Sequence, residues 1–276
     1  MKRFNKRNVK LESVFDRVAE TFDSIGPNYF SYFGQKLVEY AEIESGSNVL
    51  DVAFGRGASL FPAAESTCIN GQVVGIDFSH EMVDQTSKFI KENGIHNIEI
   101  MQMDAENLSF KSETFDTVIC GLSIAFFSDS LLAVDEMVRV LRFGGKLGIS
   151  SWKKRENMGV IGIAYTKLFP ETQKVSSATS DLKPDFSTVD GITKILENAG
   201  LKDIEVKVEQ KIFYYKNEDE WWQEQWTNAS RGLFERLESL GVIEEFKRLA
   251  FIEIQEHKDE QGIRFEPEVL FAFGCK

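Results

Sequence analysis

The chain has 276 residues, a formal net charge of −12 and 42% hydrophobic residues, which is enough for one large domain or for a smaller domain with a cap. The acidic balance disfavours a nucleic-acid partner, because such proteins concentrate Lys and Arg on one face, and it favours a small-molecule partner. Cys68, Cys120 and Cys275 lie far apart and only three histidines accompany them, so their spacing indicates neither a disulfide framework nor a metal site.

Residues 1–45 are predicted to form an N-terminal helical cap. Apolar residues recur at spacings of three and four from Leu11 to Ile25, which predicts a helix that ends before Gly26. The run YFSYFGQKLVEYAEI predicts a second helix. The basic start is followed by charged residues rather than by an apolar signal segment, and no uncharged stretch reaches the roughly 18 residues of a membrane span. We therefore expect a cytoplasmic protein with no membrane partner.

Residues 46–152 alternate between short apolar runs and helical patterns. The runs NVLDVAF, QVVGIDF, IEIMQMD, FDTVICGLSI and KLGISSW are rich in Val, Ile and Phe, which is typical of strands buried on both faces. Between them, HEMVDQTSKFIKENG and SDSLLAVDEMVRVLRFGG have a helical period. Strands that alternate with helices predict a doubly wound α/β domain with a parallel sheet.

Residues 153–276 are predicted to complete the sheet and to cover it. DIEVKVEQKIFYY (within about 187–215) and VLFAFGC (within about 267–276) predict two further strands, and TVDGITKILENAG predicts a helix ahead of them. The remaining segments, about 153–186 and 216–266, are predicted to be insertions between elements of the sheet. The second insertion contains the helical patterns EWWQEQW and IEEFKRLAFIEIQEH, and an insertion of that size usually covers a site.

Three acidic residues lie in or after successive predicted strands, beside a glycine loop. Asp51 lies inside the run that leads into AFGRGAS, where a buried carboxylate needs a hydrogen-bond partner. Asp77 ends the second run, where an acid can accept both ribose hydroxyls, and Asp104 ends the third, where it can accept from an exocyclic amine. The loop matches the dinucleotide pattern G-x-G-x-x-G/A only in degenerate form, so a cationic sulfonium with ribose and adenine suits this rim better than a pyrophosphate.

With these motifs in this order, residues 11–152 resemble the class I S-adenosylmethionine-dependent methyltransferases, especially those of ubiquinone and menaquinone biosynthesis. The resemblance rests on VLDVAFGRG, VVGIDFSHEM, MQMDAENLSFKSETFDTVICGLSIAFFSD and EMVRVLRFGGKLGISSW. It implies a seven-stranded, mostly parallel, Rossmann-like sheet with an antiparallel last strand, N-terminal helices and a helical insertion before the last strand. It also implies S-adenosylmethionine as cofactor and S-adenosylhomocysteine as product.

The resemblance further implies a cofactor site at matching positions. The glycine loop would face the methionine part, and the residues after the third and fourth strands would meet the adenine edge and the amino group. Asp77 would hold the ribose hydroxyls, Met82 would pack on the adenine, and Phe22 would close over the cofactor. The predicted site consists of Phe22, Asp51, Ala53, Gly55, Gly57, Asp77, Phe78, Met82, Asp104, Ala105, Cys120 and Gly121.

The glycine loop departs from the family pattern at two positions. Ala53 replaces a glycine, which is tolerable if its φ is negative. Arg56 replaces a threonine, and its charge can pair with the cofactor carboxylate or with a surface acid, of which we favour the surface acid. The segment after the fourth strand, SIAFFSD, carries no histidine, so no catalytic residue is predicted.

Aromatic residues in the N-terminal and late segments predict an apolar or aromatic methyl acceptor. The sequence therefore predicts a methyltransferase that acts on a small molecule at oxygen, carbon or nitrogen by in-line transfer, and it leaves a homo-oligomer open. Two alternatives also stay open: a cofactor-binding protein without catalysis, and a dinucleotide-dependent oxidoreductase. The predicted substrate pocket consists of Tyr29, Phe30, Trp152, Tyr165 and Trp226.

Overall fold

A computed structural model describes residues 13–154, 158–171 and 184–276 of the chain. Its strands, in chain order, are β1 (Asn48–Val52), β2 (Gln72–Asp77), β3 (Ile98–Gln102), β4 (Phe115–Gly121), β5 (Leu141–Trp152), β6 (Lys202–Gln210), β7 (Phe213–Tyr215), β8 (Lys258–Asp259), β9 (Gly262–Phe265) and β10 (Glu268–Cys275).

The helices of the described residues begin with α1, a short helix at residues 13–18. The others are α2 (Tyr29–Ala41), α3 (Leu60–Thr67), α4 (His80–Glu92), α5 (Ser130–Val140), α6 (Val160–Leu168), α7 (Val189–Asn198), α8 (Glu218–Gln225), α9 (Arg231–Ser239) and α10 (Ile243–Ile254). None of these helices is long and apolar enough to cross a bilayer.

Seven strands form the central sheet in the order β3-β2-β1-β4-β5-β10-β6. The first five strands in this order are parallel, and β10 pairs antiparallel with both β5 and β6. Both faces are covered: α5 and α7 pack Met137 and Leu196 on one face, and α2 and α3 pack Phe33 and Leu60 on the other. The predicted doubly wound, mostly parallel seven-stranded fold with an antiparallel last strand is confirmed.

Two predicted elements are shorter in the structure. The first helix was expected to continue to Ile25, but the described part is helical only at residues 13–18, and Leu11 lies outside the described residues. Arg56 Nη1 donates to the Ala19 carbonyl oxygen at 2.6 Å, and Asp23 has a φ of 56°. Because α-helices require negative φ, a turn rather than a helix follows residue 18.

The run DIEVKVEQKIFYY is two strands rather than one. β6 is the edge of the main sheet, whereas β7 pairs with β9 in a separate three-stranded sheet. Between them the chain leaves the edge of the main sheet. Phe213 packs against α2 at the face of that sheet, whereas Tyr215 is buried in the core of the late insertion.

The segments predicted as insertions pack together as one helical cap. Its core contains Trp222 of α8, Phe234 of α9 and Phe246 of α10, and the Trp222 and Phe234 ring centroids are 4.5 Å apart. Helix α6 supplies the buried Ala164 to the same core. The two sequence-distant segments therefore form a single unit beside the sheet.

Candidate functional site

A cavity of about 520 Å³ lies at the carboxyl ends of the parallel strands. Ligands of open parallel sheets bind at this edge, where the strand order reverses between β1 and β4. The residues that follow the first five strands all reach its wall. The wall there includes Ala53 and Gly55 after β1, Asp77 and Phe78 at β2, Asp104 and Ala105 after β3, Gly121 and Leu122 at β4, and Trp152 and Lys153 at β5.

The loop after β1 is held in a tight curl by backbone contacts. The N–H groups of Ala53 and Phe54 both donate to the Ile76 carbonyl oxygen, at 2.7 and 3.2 Å. Ala53 has a φ of 60°, so the condition of a negative φ is not met, and this residue holds a left-handed conformation that costs about 1–2 kcal/mol. The two hydrogen bonds to the Ile76 carbonyl oxygen hold Ala53 in this conformation.

The two glycines of this loop are required for different reasons. A Cβ at Gly55, whose φ is 56°, would meet no atom within 4 Å, so this glycine faces open space. A Cβ at Gly57 would lie 2.2 Å from the Phe61 ring. Gly55 therefore offers its backbone to the cavity, whereas Gly57 permits the close packing of the loop on α3.

Asp51 is fully buried beneath the loop and does not line the cavity. Ser59 Oγ donates to its Oδ2 atom at 2.7 Å, which supplies the partner that the sequence required. Its Oδ1 atom has no hydrogen-bond partner in the described part of the chain. Burial raises the pKa of Asp51 to about 7, with the Asp77 charge acting in the same direction.

Asp77 ties the glycine loop to the start of α4. Its Oδ2 atom accepts from Gly55 N and its Oδ1 atom from Ser79 N, both at 2.9 Å. Ser79 in turn caps α4 by accepting from Met82 N at 3.1 Å. Burial raises the pKa of Asp77 to about 6 despite these hydrogen bonds. The carboxylate is thus held rigidly at the cavity wall.

The wall beyond Asp77 is apolar with an acidic edge. Met82 is buried against Val18 and Ala19 of the N-terminal segment, and Ala105 faces it from the loop after β3. Asp104 Oδ1 accepts from Glu106 N at 2.9 Å, which fixes the carboxylate at the end of this loop. An apolar wall with a hydrogen-bond acceptor at its edge has the character of a purine site.

The opposite end of the cavity is aromatic. Phe22 contacts Phe30 with ring centroids 5.0 Å apart, and Phe30 contacts Tyr29 and Trp152 at 4.5 and 6.2 Å. Phe265 of β9 lies 5.1 Å from Tyr29. This end is assembled from the N-terminal segment, the end of β5 and the cap.

A buried carboxylate joins the cap to α2 behind these rings. Glu224 of α8 accepts from Tyr29 Oη at 2.5 Å, from Tyr215 Oη at 3.2 Å and from Asn228 Nδ2 at 2.8 Å, and Gln225 also donates to it. Burial raises the pKa of Glu224 while these donors lower it. This network was not predicted, because Tyr29 and Glu224 lie 195 positions apart in the sequence.

Nine of the twelve predicted cofactor residues line the cavity, and three do not. Asp51 and Gly57 lie behind the loop, as described above. Cys120 is fully buried in the core on the α5 side of the sheet, with its Sγ atom 3.0 Å from Ser123 Oγ. Side chains alternate along β4, so the next residue, Gly121, reaches the cavity instead. The nine are Phe22, Ala53, Gly55, Asp77, Phe78, Met82, Asp104, Ala105 and Gly121.

Three of the five predicted substrate residues line the cavity: Tyr29, Phe30 and Trp152. Tyr165 and Trp226, the other two predicted residues, do not line this cavity. Tyr165 packs on Phe169 within the cap, since α6 pairs with α10 away from the sheet. Trp226 packs edge-on to Phe234, because the apolar core of the cap buries the ring and the polar residues of the same turn face the cavity.

Several cavity residues were not predicted as part of the site. Asp23 lines the aromatic end, where Ser31 Oγ donates to its Oδ2 atom at 3.1 Å. Burial raises the pKa of Asp23 to about 6. Asp23 directly follows Phe22, which was predicted as a site residue, and this adjacency is the sequence feature that could have indicated its role. The three histidines of the chain are all exposed, and none lines the cavity.

Arg56 does not pair with a surface acid, contrary to the favoured prediction. It lines the cavity, and no carboxylate lies within ion-pair distance of it among the described residues. Its guanidinium reaches the Ala19 carbonyl instead, because the curl of the loop turns the side chain towards the N-terminal segment.

A glycine loop and acids at the carboxyl edge of a seven-stranded, mostly parallel sheet are features of the class I S-adenosylmethionine-dependent methyltransferase fold. Residues 2–209 match the model of the ubiE/COQ5 methyltransferase family. The chain belongs to that family, as the glycine loop and the acids after the strands indicated.

Two curated relatives are similar over about half of the chain. Aklanonic acid methyltransferase DauC from Streptomyces sp. (strain C5) is 37% identical over 142 residues, which cover 51% of this chain and 64% of DauC. Nocamycin O-methyltransferase from Saccharothrix syringae is 35% identical over 137 residues, which cover 50% of this chain and 49% of that enzyme. The chain thus matches less than two thirds of the length of either relative.

The fold is also similar to that of solved structures. The YcgJ protein from Bacillus subtilis superimposes with a TM-score of 0.62 and 20% sequence identity, covering 89% of this chain and 98% of YcgJ. At this identity the likeness extends to the fold alone.

Proposed function

We propose that the chain transfers the methyl group of S-adenosylmethionine to a hydroxyl oxygen of a small, largely apolar or aromatic molecule. One observation carries this proposal: a single cavity joins the acid-bearing carboxyl edge of the sheet to an aromatic end built from Tyr29, Phe30, Trp152 and Phe265. The first end is suited to a cationic nucleoside and the second to an apolar acceptor. The name of the nocamycin relative, an O-methyltransferase, supports oxygen as the methylated atom.

The residues at the sheet edge fit S-adenosylmethionine. The space beside Gly55 is open. The Asp77 carboxylate accepts backbone N–H groups of Gly55, Ser79 and Phe78, and because a carboxylate has about four lone-pair sites it keeps acceptor capacity for a ribose hydroxyl. Asp104 and Ala105 would meet the adenine edge, and Phe22 would cover the cofactor. Bound there, the cofactor supplies an electrophilic methyl group on a sulfonium sulfur.

The aromatic end would orient the acceptor. Rings at several angles around one space bind flat apolar molecules and exclude water from it. In-line displacement gains much of its rate from holding the two reactants at near-attack distance, which requires no covalent catalyst. The role of Tyr29, Trp152 and Phe265 would therefore be positioning.

Asp23 would accept the proton of the acceptor hydroxyl. Its carboxylate lines the aromatic end and has Ser31 Oγ as its side-chain donor. A pKa of about 6 leaves it ionised at neutral pH and still basic enough for proton transfer. This assignment supplies the base that the loop after β4 lacks.

Calorimetry and a transfer assay test the proposal. We expect S-adenosylhomocysteine to bind at micromolar concentration and NADH not to bind. Incubation with methyl-labelled S-adenosylmethionine and a panel of hydroxyanthraquinones, hydroxynaphthoquinones and simple phenols should then yield a labelled methyl ether, identified by mass spectrometry. Binding of NADH in place of S-adenosylhomocysteine would contradict the proposal, and cofactor binding without transfer to any member of the panel would favour a non-catalytic cofactor-binding protein.

With an acceptor identified, Asp23→Asn tests the proton acceptor. We expect kcat to fall at least tenfold and the low-pH limb of its pH profile, near pH 6, to disappear, while the affinity for S-adenosylhomocysteine stays within twofold. Ser31→Ala is the matched control: it removes a donor to Asp23, so the limb should move to higher pH and remain. An unchanged profile in Asp23→Asn would exclude Asp23 as the base.

A further inference from the structure

Arg56 is a half-buried cation on the cavity wall without an acidic partner in the described ranges. Burial lowers its pKa, and no nearby carboxylate offsets this effect. The other basic residue of the wall, Lys153, pairs with Glu268 at 2.6 Å. In a chain with a net charge of −12, a cation that is partly withdrawn from water and has no acidic partner is unfavourable, and an anionic ligand would offset this.

The hydrogen bond to Ala19 does not account for this charge. Arg56 Nη1 donates to the Ala19 carbonyl oxygen at 2.6 Å, which follows the last residue of α1, and a cation is favourable at that end of a helix. A guanidinium has five N–H donors in a fixed fork, however, and a neutral carbonyl does not neutralise it. The contact holds the side chain in one place and leaves most of its donors for another group.

The position of Arg56 within the cavity limits what that group can be. Arg56 follows Gly55, whose N–H donates to Asp77, so it lies in the same loop as the cofactor end of the site. The other charged residues there are acids: Asp77, Asp104 and Glu106. A negatively charged group of the ligand would be repelled from those acids and attracted to Arg56 alone.

We propose that Arg56 binds the carboxylate of the methionine part of the cofactor. This inference rests on the proposed function, because it takes the nucleoside to lie at Asp77 and Asp104. A guanidinium can hold a carboxylate through two parallel hydrogen bonds, and the Ala19 carbonyl would fix its orientation. The arginine that replaces the family threonine thus becomes the anion-binding element of this chain.

Two commercially available ligands test the assignment. Decarboxylated S-adenosylmethionine differs from S-adenosylmethionine only in lacking the carboxylate, so the ratio of the two affinities isolates this group. By isothermal titration calorimetry we expect the full-length wild-type chain to bind S-adenosylmethionine at least tenfold more tightly than its decarboxylated analogue. In Arg56→Met, which keeps the length of the side chain, this ratio should fall to within twofold of one, and Arg56→Lys should recover part of it.

Lys153→Met is the matched control, since it removes the other basic residue of the wall, and it should leave the ratio unchanged. The assignment is overturned if the wild-type chain does not discriminate between the two ligands, or if Arg56→Met weakens both equally, which would indicate a role only in the contact with Ala19. Failure of the wild-type chain to bind S-adenosylmethionine at all would instead overturn the proposed function.

Discussion

The two ends of the cavity are built in different ways. The sheet edge is assembled from residues that directly follow β1 to β4, and its polar groups are tied to backbone N–H groups, as Asp77 is to Gly55 and Ser79. The aromatic end is assembled from α2, the end of β5 and β9, and its contacts are between side chains. One end therefore depends on the path of the backbone, and the other depends on tertiary packing.

Two curated relatives match this chain over about half of its length, and side-chain packing in a cap can change without altering the sheet. We expect the sheet edge to bind the cofactor by itself and the aromatic end to select the acceptor. Four predictions test this separation, from the largest expected effect to the smallest.

Among single groups, the buried acid beneath the glycine loop should make the largest contribution to the pH dependence of stability. Burial raises the pKa of Asp51 from 3.8 to about 7, so the stability that its protonated form contributes is fully present below pH 3.8 and is lost as the pH rises through 7. A difference of this size corresponds to roughly 4 kcal/mol. In Asp51→Asn the fall in free energy of unfolding between pH 4 and 7, measured by urea denaturation, should be smaller by an amount of that order. If the free energy of unfolding of Asp51→Asn depends on pH as steeply as that of the wild type, the raised pKa of Asp51 is contradicted.

The link between cap and α2 should contribute strongly to stability. Glu224→Ala leaves the hydroxyls of Tyr29 and Tyr215 and the amide of Asn228 without their acceptor, which should lower the free energy of unfolding by about 3 kcal/mol. Glu224→Gln keeps one acceptor oxygen and should cost less than half as much. Equal losses in the two variants would show that the hydrogen bonds are not the source of the effect.

Removal of the acid at the end of β2 should weaken cofactor binding. Asp77→Ala should lower the affinity for S-adenosylhomocysteine at least tenfold, about 1.4 kcal/mol, whereas Asp84→Ala, at an exposed acid of the same region, should not change it. Because the pKa of Asp77 is about 6, wild-type binding should also weaken as the pH falls through 6. Retained affinity in a folded Asp77→Ala variant would refute the ribose assignment.

A substitution at the aromatic end should leave cofactor binding almost unchanged. Phe265→Ala removes a ring that contacts Tyr29 and Tyr215 but lies on β9, outside the parallel sheet. We expect the affinity for S-adenosylhomocysteine to stay within twofold by calorimetry. A tenfold loss would show that the two ends of the cavity are not separate sites.

The sequence also predicted the two ends unequally well. Nine of the twelve predicted cofactor residues reach the cavity, because the carboxyl end of a strand can be located from a local apolar run. Tyr165 and Trp226 lie outside the cavity wall, because an aromatic residue on a helix packs equally well in a cap core or against a ligand, and sequence spacing does not distinguish the two. The Glu224 network was missed because Tyr29 and Glu224 are distant in the sequence. Asp23 was missed because its partner Ser31 lies eight positions away, at no regular helix or strand spacing.

The sequence by itself determined the order of strands and helices, the glycine loop and the acids beside it, since periodicity and strand ends are short-range properties. Only the tertiary structure decided the left-handed conformation of Ala53 and the partner of Arg56. Both depend on atoms brought from elsewhere in the chain: the Ile76 carbonyl holds the loop, and the Ala19 carbonyl holds the guanidinium at the cavity wall. The direction of a side chain and the charge that surrounds it follow from packing, and packing is a property of the whole fold.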